Sequence, residues 1–151
     1  MPDRHDKELR LYVHNVDGIP DPAVEPESVK SDLLCTNVRK HHVSVLVETR
    51  TNNLDRIMTN VHGTHKLVHK LNVPDGCAGR RGYGVAVIAS NLCAEYMSVF
   101  RIAPDILCVW IKCRKELFGL NRDVLLGAVY ANPQGRLFSV HQVRDQFTHL
   151  F

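Results

Sequence analysis

The stretch 43–50, Val-Ser-Val-Leu-Val-Glu-Thr-Arg, constrains the fold of this chain more than any other. Five β-favouring apolar or small residues in succession describe a strand buried on both faces. Glu48 follows without a gap. A carboxylate in that position is costly unless it emerges at the strand end into a polar crevice or onto a cation. Open α/β sheets gather their ligands at the carboxyl ends of parallel strands. The plain alternative is a strand-end carboxylate paired with a neighbouring cation such as Arg50.

The residues upstream supply the parallel partner. Residues 9–16 alternate, with Leu11, Val13 and Asn15 on one face, and end in the turn signal Asn15-Val16-Asp17-Gly18. A proline-rich loop spans 19–26. Val29, Leu33, Leu34 and Val38 then fall at helical spacing, with Ser28 or Ser31 as the cap and Lys40-His41 at the cationic end. Strand, helix, strand at these lengths is a βαβ unit with a right-handed crossover, which puts Asn15 and Glu48 on one edge as neighbours.

Downstream, 52–61 reads as a short helix or an irregular loop, and 65–72 is a candidate strand. The loop 73–81 is rich in Pro, Gly and Arg. Residues 83–89 (Tyr-Gly-Val-Ala-Val-Ile-Ala) form a buried strand, and 96–102, 106–113 and 123–130 follow as strands with short turns, an antiparallel pattern. Tyr130 closes the last of these just before the loop 131–135. Val140, Val143, Phe147, Leu150 and Phe151 then make an amphipathic helix to the last residue.

Length and composition set the frame. One hundred and fifty-one residues suit a single domain, residues 1–151, with a charged, flexible tail over 1–8. No window is apolar enough for a membrane span, and the charged start carries no secretory signal. Five cysteines, an odd number with no Cys-x-x-Cys, suit reduced thiols and an intracellular setting, nuclear or cytoplasmic. The net charge of +3 permits nucleic acid as a partner without arguing for it.

Four stretches in order then become recognisable: a first strand ending Asn-Val-Asp-Gly, a crossover to Val-Leu-Val-Glu-Thr, then Gly-Arg-Arg-Gly-Tyr-Gly-Val-Ala-Val, then Leu-Gly-Ala-Val-Tyr-Ala-Asn-Pro. Together they resemble the N-terminal part of the endonuclease/exonuclease/phosphatase superfamily, closest in flavour to the endonucleases of non-LTR retrotransposons. The resemblance implies an α/β (mixed α+β) fold, a partial four-layer sandwich of the deoxyribonuclease-like type. Mostly one mixed sheet with flanking helices is expected, with the C-terminal half missing. It implies a magnesium- or manganese-dependent phosphodiesterase, an endonuclease hydrolysing DNA in its full-length form. Glu48 is then the metal-binding carboxylate, Asn15 the asparagine supporting metal and phosphate, and Tyr130 the tyrosine on the scissile phosphate.

The chain departs from that family at informative places. The Asp-x-Asn motif and the terminal Asp-His pair are absent, and Asp145 is the only acidic residue after Tyr130. The His-Asp pair is what would activate water as general base. The expectation is therefore a truncated domain, inactive alone, or a non-catalytic remnant that binds nucleic acid or protein and self-associates through an uncovered sheet face.

Other signals have simpler explanations. Each nominated residue has an ordinary role too: an Asx turn for Asn15, a half-buried sheet tyrosine for Tyr130. Asp17 could approach the same ion, but an Asp before Gly is ordinary in a turn, and it is left out of the site. Arg80 and Arg81 sit in a Gly-rich loop that lacks a P-loop ending; they suit backbone-phosphate contact. The cluster Arg39-Lys40-His41-His42 reads as a solvated helix end. His62, His65 and His69, with Cys77, have zinc-compatible spacing but no recognised framework.

Overall fold

A computed structural model of the chain describes residues 8–103 and 108–130. The C-terminal helix, the loop 131–135 and most of the N-terminal tail expected from the sequence lie outside the described residues.

The βαβ unit forms as its pattern requires. Strand β1 (Leu11–Asn15) leads through helix α1 (Val29–Lys40) to strand β2 (Val43–Val47). Ser28 caps α1: its backbone is extended and its Oγ accepts from the Ser31 N–H at 3.2 Å, satisfying one of the helix's orphan donors. Strands β1 and β2 pair in parallel, with Asn15 opposite Val47. Helix α2 (Asp55–Asn60) follows, resolving the helix-or-loop alternative. Next come strand β3 (His65–Leu71), strand β4 (Val85–Ser90) and the short helix α3 (Asn91–Ala94). Strands β5 (Met97–Ala103), β6 (Cys108–Cys113) and β7 (Val124–Val129) complete the order, with a 3-10 turn at Lys115–Leu117 between the last two.

The described strands make two sheets, not mostly one. The first has the order β1-β2-β4-β3, and the second β5-β6-β7. In the first, β4 runs antiparallel to both neighbours; the second is antiparallel throughout. The expectation of one mixed sheet fails for a physical reason. Alternation shows which side of a strand is apolar but not which sheet it joins. The chain between β4 and β5 passes through α3 and starts a new ladder instead of extending the old one.

Strand β2 is buried along its whole length because both of its faces are covered. Val43, Val45 and Val47 face the second sheet, packing with Val85, Val87, Val109, Ile111 and Ala128. Leu46 faces the helices, in a cluster with Leu34, Val38, Ile57 and Ile88. The described residues therefore stack as helices, four-stranded sheet and three-stranded sheet. Among them, no helix is long and apolar enough to cross a membrane.

The edges are less covered. Leu11 and Val13 of β1 are exposed, as are Val99, Phe100 and Ile102 of β5. Both strands lie at a sheet edge.

Candidate functional site

The chain continues past the formal ends of β1 and β2 as a paired ribbon. The amides of Val16, Gly18 and Ile19 donate to the carbonyls of Val47, Glu48 and Thr49 at 2.8–3.0 Å. On the other side, the Thr49 and Arg50 amides donate to the carbonyls of Gly84 and Tyr83 at 3.2 and 2.9 Å. Residues 48–50 are thus held from both flanks.

That clamp enforces an unusual backbone. Among the described residues, three that are not glycine have positive φ, namely Asp17 (52°), Glu48 (60°) and Arg50 (59°). Each such conformation costs on the order of 1–3 kcal/mol and persists only where its surroundings over-determine it. All three lie at this one edge, and their side chains pair with one another. Arg50 Nη2 is bonded to Asp17 Oδ1 and lies 3.5 Å from Glu48 Oε1. Lys30, at the start of α1, donates to the Asp17 carbonyl at 2.9 Å.

Glu48 is the centre of the cluster. It is 6% exposed, and its Oε1 accepts from the Gly82 N–H at 2.8 Å. Tyr130, just past the end of β7, directs its hydroxyl at the same carboxylate. The phenol's acidity is suppressed first by burial and then by the Glu48 charge and hydrogen bond, so it stays a neutral donor. Two sheets thus contribute to a single carboxylate.

The loop 79–84 closes one side. The Gly79 amide donates to the Arg50 carbonyl at 2.9 Å. A side chain at Gly84, where φ is +93°, would place its Cβ 2.0 Å from Thr49 Oγ1, so only glycine lets the loop approach this closely. Arg80 and Arg81 are exposed beside Gly82.

The sequence-nominated residues are accordingly gathered at one edge, with differences in detail. Glu48 and Tyr130 come close enough for the carboxylate to act on the phenol. Asn15 reaches the same edge, where its Oδ1 accepts from the Asp17 amide at 3.1 Å, the ordinary turn role. Asp17, left out on sequence grounds, is a full member, and Arg50 pairs with both acids. The Asn-Val-Asp-Gly turn was the available signal for Asp17.

The histidine grouping does not assemble. Among the described residues no group of three or more His, Cys, Asp or Glu side chains is placed to hold a metal ion. The His65 ring instead bonds the Thr64 hydroxyl and the His41 carbonyl, both at 2.9 Å. It helps line a basic hollow of about 180 Å3 with Arg39, Lys40 and His42, at the opposite end of β2. There Arg39 donates through Nε and Nη2 to the Asn60 carbonyl, joining α1 to the end of α2.

No protein-family model matches the chain, and no curated protein matches it either.

Proposed function

We propose that this chain carries the ion-anchoring and phosphate-holding part of a magnesium-dependent phosphodiesterase that acts on DNA, within a deoxyribonuclease-like α/β sandwich. The observation that carries the reading is the meeting of Glu48 and Tyr130. Residues at the ends of strands from two different sheets bring a buried carboxylate and a neutral phenol together at the carboxyl edge of a parallel strand pair.

The donor chemistry suits a hard divalent cation. Magnesium takes one or two carboxylates and keeps several waters, with oxygen as its preferred donor. Glu48 and Asp17 would hold it, and manganese would substitute. Bound there, the ion would supply polarisation of a phosphoryl oxygen. The chain's own residues do the rest. Tyr130 offers its hydroxyl as a hydrogen-bond donor to an oxygen of the bound phosphate. Asn15 sets the turn that presents Asp17, and Arg80 and Arg81 offer exposed charge for the flanking backbone.

The sequence holds no His-Asp pair positioned as in the family it resembles, so this chain holds a phosphodiester without activating water. Plasmid nicking by the purified chain in magnesium should be little or none. Binding of a labelled duplex should be tighter in magnesium than in chelator, and Glu48→Ala should remove that difference. A magnesium effect that survives Glu48→Ala would overturn the reading.

A second reading is favoured by the self-sufficiency of the cluster. Glu48 already has Gly82, Arg50 and Tyr130 as partners from its own chain, which suits a non-catalytic remnant or binding module. The uncovered Leu11, Val13, Val99, Phe100 and Ile102 suit association with another chain or a second copy. This reading expects salt-sensitive DNA binding that chelator leaves unchanged, or sedimentation as a dimer.

A further inference from the structure

We infer that Arg50 is a resident cation of the site, competing with the divalent ion for the carboxylates of Asp17 and Glu48 and thereby setting the site's affinity for it. The inference rests on the ion-binding reading above and deepens it.

Its basis is the place of the guanidinium. One nitrogen, Nη2, serves both acids: it is bonded to Asp17 Oδ1 and lies 3.5 Å from Glu48 Oε1. A cation held jointly by these carboxylates must enter the space between them, where the guanidinium already lies. A guanidinium and a divalent ion repel each other at such separations, so the two states exclude each other. The side chain is only 17% exposed, and its Nε is buried without a hydrogen-bond partner. A buried donor left unpaired favours departure from the pocket, where water would satisfy it.

The backbone leaves Arg50 a way out. Its Cδ would lie 3.2 Å from a Cβ added at Gly18, so the glycine keeps the side chain's flank clear. Asp17, the outer acid, has a side chain that is 71% exposed. Displacement of the guanidinium therefore runs toward solvent, past Asp17, and leaves Glu48 in place. Once outside, the planar fork matches the geometry of a phosphate. Binding of the ion and of a phosphodiester would then support each other through Arg50.

The test is magnesium binding by titration calorimetry to the full chain and to Arg50→Gln, with circular dichroism to check that the variant retains its fold. The variant should bind magnesium tighter by roughly tenfold, a size usual for coupling between two ligands. Magnesium binding to the parent with equal or weaker binding to a folded Arg50→Gln overturns the competition alone. Absence of magnesium binding to both proteins overturns the ion-binding reading and the competition with it. A measurement on the unsubstituted chain stands beside these: saturating magnesium should shift the Arg50 Nε–H resonance in a nitrogen-correlated NMR spectrum. An Nε–H unmoved while the ion binds also overturns the competition.

Discussion

The backbone N–H of Gly82 donates to Oε1 of Glu48 at 2.8 Å, tying the loop before β4 to the end of β2. The bond gives Glu48 a structural role independent of any ligand. Its carboxylate compensates Arg50, accepts from Gly82 and lies beside the Tyr130 hydroxyl in a buried setting, so removing it leaves these groups poorly matched.

Glu48→Ala should accordingly destabilise the fold by about 2–3 kcal/mol, below the full cost of breaking a buried pair because Arg50 keeps Asp17. Glu48→Gln, which keeps an acceptor oxygen and the side chain's volume, should cost about half as much. Urea denaturation of the parent and both variants checks the order. Equal stability of all three would mean that the carboxylate does not organise this edge.

The glycines of the neighbouring loop separate close approach from conformation. Gly84→Ala meets Thr49 Oγ1 at 2.0 Å and the Arg50 amide nitrogen at 3.0 Å, while an added Cβ at Gly79 meets nothing within 4 Å. Both have positive φ, so both substitutions incur the left-handed cost of roughly 1 kcal/mol. Gly84→Ala should lose about 2 kcal/mol more through displacement of Thr49, as expected of overpacking. Thermal melts of the two variants should differ by several degrees in that direction.

The contrast between these positions shows what the sequence could reveal. Strand β2, the capped helix α1 and the parallel pairing are local patterns, legible from apolar spacing and the serine cap. Glu48 stood out because it follows an apolar run directly. Arg50 was legible as the ordinary cation partner of Glu48, and Asp17 only as a turn residue, because left-handed backbone at non-glycine residues carries no compositional mark. It arises from the ribbon 16–19 on one flank and residues 83–84 on the other. The second sheet was hidden differently. Its strands were legible one by one, whereas their separation from β4 depends on the turn made at α3.

Cysteine chemistry gives a prediction independent of the site. Cys77 is partly exposed, and Cys35, Cys93, Cys108 and Cys113 are buried free thiols. At pH 8 a thiol reagent should label one cysteine quickly and the other four only on unfolding. Burial pushes the Cys108 and Cys113 thiols up to about 11, from an ordinary 9.0. The folded state thus favours the neutral thiol. The stability this contributes is complete below pH 9 and is lost as pH rises from there through about 11. Urea titrations should show stability falling over that window, by up to about 1.4 kcal/mol per pH unit per thiol. Replacing Cys108 by Ala should flatten the fall.

The second sheet has its own internal test in Trp110 and Gly127, which oppose each other across β6 and β7. The indole lies over the glycine so closely that an added Cβ would sit 2.6 Å from Cζ3 and 2.8 Å from Cη2. A ring atom is not the free end of a flexible chain, so Gly127→Ala must turn the whole indole or part the strands. Either response costs about 1–3 kcal/mol. Trp110 is the chain's single tryptophan and is 4% exposed, so the tryptophan fluorescence comes from this one ring and its surroundings. Gly127→Ala should shift the native emission to the red and lower the urea midpoint, while the unfolded emission stays the same. Adding Trp110→Leu should recover part of the loss, because the shorter side chain leaves room for the methyl group. Native emission and midpoint both unchanged in Gly127→Ala would show that the indole does not lie against residue 127, and with it that the β6–β7 register is different.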